Sequence, residues 1–158
     1  MATPIGFDPT YAAATIGSLT LGAIYSDGPK IYRCVKTIDL NATNGMVGEM
    51  AFASSWVLTV DRAGGSSLGR IPGGVFVGSV TAGYYCLVLI DGLHAAVKDA
   101  AGALNAVGAR VRTHATVDGD AAKATADGSG TADAEIFLGI VTVVSAGGVA
   151  GVKVHIGS

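Results

Sequence analysis

The chain has 158 residues, half of them apolar and 14% charged, with 24 glycines and a formal net charge of −2. That length supports one domain with a real core and is short for two, and the composition is far from the polar, highly charged profile of a disordered chain. The ten basic residues form no stripe and interleave with no aromatic platform, so the sequence predicts no nucleic acid partner.

Abundant Gly with Ala, Val, Thr and Ser favours short strands joined by tight turns over long helices, since each glycine in a helix interior costs about 1 kcal/mol relative to alanine. The first twenty residues contain Pro4 and Pro9 and place apolar side chains at irregular intervals, which suits an extended arm. Ile5, Phe7, Tyr11 and Ile16 are the contact candidates on that arm, expected to dock on the molecule's own body, a sister subunit or a larger surface. The domain organisation expected is therefore an arm over residues 1–20 and a single β-rich body over residues 21–158.

Residues 31–38, IYRCVKTI, alternate closely enough to read as a half-buried strand. Asn44-Gly45 is a turn signal, residues 51–60 (AFASSWVLTV) form a further strand signal, and the stretch AGGSSLGRIPGG over residues 63–74 reads as a loop that no GxxxxGK[ST] motif follows. The text VFVGSVTAGYYCLVLIDG then predicts a hairpin: a strand, a turn at Ala82-Gly83, and a dense strand over residues 84–90 closed by Asp91-Gly92. Residues 93–109 fit either an amphipathic helix weakened by Gly102 and Gly108, or two extended pieces around a turn at 99–102. RVRTHATV, residues 110–117, alternates as a solvent-facing strand would, and residues 118–135, with five acids and one lysine, read as a surface loop. At the C-terminal end IFLGIVTVVSAGGVAGVKVHIGS predicts a second hairpin turning at Gly147-Gly148. Its Phe137, Gly139, Val141 and Thr142 echo Phe76, Gly78, Val80 and Thr81, suggesting two hairpins of similar shape.

The fold class expected is thus all-β: an antiparallel barrel or sandwich with an extended arm and at most one short helix. The longest dense apolar run, residues 84–90, is far below the roughly 20 residues a membrane helix needs, and the N-terminus shows no basic region followed by an apolar run; a soluble protein without an export signal or membrane partner is expected. Cys34 and Cys86 lie in strand-like contexts without ligand spacing and are expected to be buried free thiols.

Residues for chemistry are sparse. His94, His114 and His155 have no HxxxH or HExxH spacing, and no GxSxG elbow or cysteine–histidine signature is present, so no enzyme and no cofactor are expected. Asp118, Asp120 and Asp127 near glycines lack EF-hand spacing and read as solvated acids. Trp56, Tyr84, Tyr85 and Phe137 would stack a sugar if exposed, but sit in apolar runs that a core would claim.

In order and spacing, LGAIYSDGPKIYRCVKTI, the hairpin GVFVGSVTAGYYCLVLIDG, the 103–117 stretch leading to Asp118-Gly119, and EIFLGIVTVVSAGGVAGVKVHIG resemble the small head decoration, or cement, proteins of tailed bacteriophages, across most of residues 20–158. Related sequences often carry Gly-Trp after the aromatic of the central hairpin where this chain has Cys86-Leu87, a departure that touches packing. The resemblance implies a homotrimer made in the bacterial cytoplasm. It would bind the major capsid protein at three-fold or quasi-three-fold positions on the outside of the virion and cement its capsomers. The alternative is a phage fibre, receptor-binding or carbohydrate-binding β module.

Overall fold

A computed structural model describes residues 8–51, 56–61, 71–99, 102–113, 117–123 and 137–156, and among these residues it contains strands and no helix. The strands are β1 (Ala12–Ala13), β2 (Ile24–Asp27), β3 (Lys30–Ile38), β4 (Val47–Met50), β5 (Val57–Thr59), β6 (Pro72–Phe76), β7 (Tyr85–Lys98), β8 (Arg110–Thr113), β9 (Ala121–Lys123), β10 (Gly139–Ala146) and β11 (Val149–His155). The all-β expectation holds.

β7 organises the rest. Its first half is the run YCLVLI, and Val88 and Leu89 each pair twice, with Arg33 and Tyr32 of β3 and with Phe76 and Val75 of β6. Pairing continues from β6 to β4, from β4 to β5 and from β5 back to β3, so five strands close into a ring. One correction to an antiparallel scheme follows: β3 and β5 run parallel, because β5 enters between β3 and β4 and not beyond β4. Through its second half β7 pairs with β11, and the sheet continues through β10 and β8 to β9.

Alternation explains why the run is continuously apolar. Leu87 and Leu89, with Tyr32 and Cys34 of β3, enter a core shared with Val97, Leu104, Val111, Leu138 and Val152. Cys86, Val88 and Ile90, with Val35, enter a second core with Leu58, Phe76 and Met50. A strand buried on both faces needs an apolar residue at every position.

The predicted stop at Asp91-Gly92 is instead a bend inside β7. Ile31 pairs with Asp91 while Tyr32 pairs with Leu89, so Ile90 is an extra residue, and Gly92 follows with φ of 120°. The bulge and the glycine redirect one strand from the ring into the part of the sheet formed with β11, β10, β8 and β9. For residues 93–98 the helix alternative is wrong: they extend β7, held by pairing from Lys153↔Leu93 to Val149↔Lys98. The turn alternative agrees with Asp99, whose buried carboxylate accepts the amides of Ala103 and Leu104 at 3.0 Å each.

Three further sequence expectations are corrected. Residues 121–123, expected in a surface loop, form β9, where Ala121 and Ala122 are buried and pair with Thr113 and Arg112. Pro72, Gly73 and Gly74, expected in a loop, belong to β6, where a side chain at Gly73 would meet Leu58 and one at Gly74 would meet Val88; glycine lets the backbone press onto the core. Of the rest of that loop, Ile71 is described and residues 63–70 lie outside the described residues. The hairpin echo is not structural equivalence, since Phe76 ends β6 whereas Phe137 precedes β10, and Gly78, Val80 and Thr81 lie in a connection whereas Gly139, Val141 and Thr142 lie in a strand.

The turn at Asn44-Gly45 and the C-terminal hairpin with its Gly147-Gly148 turn are present as expected. In the N-terminal segment, β1 pairs with Tyr85 and Cys86, the Tyr11 hydroxyl donates to the Thr15 carbonyl at 3.2 Å, and Ile16 and Leu19 pack on the core of this same molecule. Ile5 and Phe7 lie outside the described residues.

Leu87 tests the placement of the core. Leu87→Ala should cost about 2–5 kcal/mol in urea denaturation, and Leu87→Asp, which buries a charge without a partner, should leave no folded protein by near-UV circular dichroism. A soluble, cooperatively folded Leu87→Asp protein would show that Leu87 faces solvent.

Candidate interaction face

Beyond Gly92 the strands have one buried and one open face. His94, Val152, Val141 and Val111 point inward, and their neighbours Leu93, Lys153, Ile140 and Arg110 point outward. Register sets these four side by side: Leu93 pairs with Lys153, Lys153 with Ile140, and Ile140 with Arg110. At about 4.8 Å between strands the row is roughly 14 Å across.

Large apolar side chains are open on and beside the row. Leu93 is 52% exposed, Ile140 44%, Val143 62% and Val107 69%. Val143 and Val144 are both open because the β10–β11 ladder slips at Val143, which breaks the alternation that would have buried one of them. Arg110 lays its guanidinium over the Phe137 ring, 4.4 Å from its centre. Sequence reasoning overlooked this face. The available signal was the alternation of RVRT, read as a solvent-facing strand, and of VKVH, read as the closing strand of a hairpin, without asking which residues become neighbours.

Opposite this face, Pro9, Thr10, Lys30, Tyr32, Asn44 and His94 line a pocket of about 300 Å3. His94 Nδ1 accepts the Ala96 amide at 3.2 Å, so the ring proton sits on Nε2, which donates to Asn44 Oδ1 at 3.2 Å. Burial, and then the Lys30 ammonium, hold the His94 pKa below its ordinary value. Both ring nitrogens are committed, so His94 has neither a free lone pair for a general base nor a proton to spare.

The other sequence candidates are placed as follows. Cys34 and Cys86 are buried free thiols, as expected, and they face different cores, so no disulfide can join them. Burial pushes the Cys34 thiol up to about 11; burial, with the nearby Cys34, pushes Cys86 up to about 12. His155 Nδ1 lies 3.0 Å from the Asp91 carboxylate across a strand pair. His114 and Asp127 lie outside the described residues, among which no three His, Cys, Asp or Glu side chains gather as a metal site would require. Trp56 carries the Arg33 guanidinium at 4.0 Å, Tyr85 has the Lys36 ammonium at 5.4 Å, and Tyr84 packs on the second core. Cations therefore occupy ring faces that a sugar would need.

Two measurements check these assignments. Neither thiol should react with an aromatic disulfide reagent at about pH 8 in the folded protein, and both should react in denaturant; rapid labelling of the native protein would contradict their burial. Because the folded His94 pKa is lowered, the unfolded chain takes up this proton first as pH falls. Its contribution to stability is complete above about pH 6.5 and is lost as pH falls through the folded pKa. Denaturation midpoints of wild type and His94→Gln should therefore differ in slope below pH 6.5, and identical slopes would exclude His94 as the group responsible.

No protein-family model, curated protein or solved structure matches this chain.

Proposed function

We propose that the chain is a non-enzymatic structural protein of a tailed-bacteriophage virion that binds the outer surface of the capsid as a homotrimer and cements its capsomers. The observation that carries this reading is the open face of Leu93, Ile140 and Val143 on a sheet whose other face is a closed core. Such a face loses water only by meeting another protein surface. The sequence resemblance to head decoration proteins supplies the partner, the major capsid protein, and the three-fold arrangement.

A trimer suits the task physically. Three copies joined as one body bind three equivalent capsid positions with high effective concentration, so modest contacts sum to firm attachment. Cyclic symmetry also closes, which prevents open-ended assembly of the free protein. The interior chemistry agrees with a structural role: His94, Asp99 and the two cysteines hold turns or fill cores.

The test is cosedimentation with undecorated, expanded heads of the phage that encodes the chain, with light scattering of the free protein. Wild type should bind saturably in multiples of three. Leu93→Ser combined with Val143→Ser should melt within a few degrees of wild type, since both side chains are open, yet occupy far fewer sites. A folded wild-type protein that leaves heads bare would overturn the reading and favour a fibre or glycan-binding module.

A further inference from the structure

Strands β8, β9, β10 and β11 carry Arg110, Arg112, Lys123 and Lys153 and not one Asp or Glu, although the whole chain has 12 acids against 10 bases. These four strands are therefore basic, while β7, which supplies Leu93 to the open face, carries Asp91 and Lys98. Within the row, cation and aliphatic side chain alternate: Leu93, Lys153, Ile140, Arg110. Among the described residues neither Lys153 nor Arg110 has a carboxylate partner. The nearby acid Asp91 is engaged by His155, and Arg110 is stacked on Phe137.

We infer that this face docks an acidic protein surface in which carboxylates flank apolar side chains. Resting on the capsid reading above, it assigns that surface to the capsid exterior, and it assigns the contact to Lys153 and Arg110 together with Leu93 and Ile140. Two-fold pairing of the face with a second copy of itself would bring like charges together on desolvation, so this face is not a self-complementary dimer contact. A nucleic acid backbone would satisfy the two cations but leave Leu93 and Ile140 against phosphate and sugar, gaining little from their burial. A protein surface with carboxylates at the spacing of the row satisfies both kinds of side chain. The stacked Arg110 guanidinium is held ready for a bidentate carboxylate contact.

The experiment compares wild type, Arg110→Glu combined with Lys153→Glu, and Lys36→Glu, in cosedimentation with the same undecorated heads over a salt series. Near-UV circular dichroism confirms folding, and gel shift with duplex DNA runs in parallel. The double variant should keep its fold and lose head affinity by at least about tenfold, with Lys36→Glu unchanged and wild-type binding weakening as salt rises. Arg110→Gln with Lys153→Gln should fall between wild type and the charge reversal, and serves in its place if the reversal does not fold. Wild-type binding that the charge variants retain overturns this inference and leaves the capsid reading intact. Tight DNA binding that the double variant loses also overturns it, in favour of nucleic acid. Failure of folded wild type to bind heads overturns both.

Discussion

β7 is the constraint on which the structure depends, because one strand is hydrogen-bonded on both edges and buried on both faces along its first half. Every residue from Cys86 to Ile90 must then be apolar, and the backbone groups in that stretch must find partners in β3, β6 or β1 or, for the Ile90 carbonyl, in the Ile156 amide at 2.9 Å. The five-stranded ring and the β11–β10–β8–β9 part of the sheet share this strand, so they share a core boundary. Loosening it at Leu87 would expose the core that joins ring and sheet.

The bend at Ile90–Gly92 converts that shared strand into two environments. Before it, both faces are covered. After it, one face covers Val97 and Val152 while the other carries Leu93, and the row that follows is open. A single positive-φ glycine next to a bulge thus places a candidate interaction face on the same rigid strand that anchors the ring. Rigidity matters for binding, since a surface already held in position loses little conformational freedom on docking.

Several polar groups inside the protein hold it together. Asp99 ties two loop amides, His94 links β7 to the Asn44 turn, and the thiols are kept protonated by burial. The outer face of β7, β11, β10 and β8 is left for an external partner, where Lys153 and the Phe137-stacked Arg110 lie beside open aliphatic side chains.

The sequence by itself determined the β class, the strand at residues 31–38, the turns at Asn44-Gly45, Ala82-Gly83 and Gly147-Gly148, and the burial of the dense run, because turn chemistry and period-two patterning are local. Tertiary structure decided the rest. Asp91-Gly92 has the composition of a turn, and only pairing with β3 and β11 makes it a bend within a strand. Residues 93–98 fit a helix or a strand equally well until β11 supplies a ladder of hydrogen bonds. The row of Leu93, Lys153, Ile140 and Arg110 joins residues up to 60 positions apart, and its register follows from long-range pairing that no local pattern records.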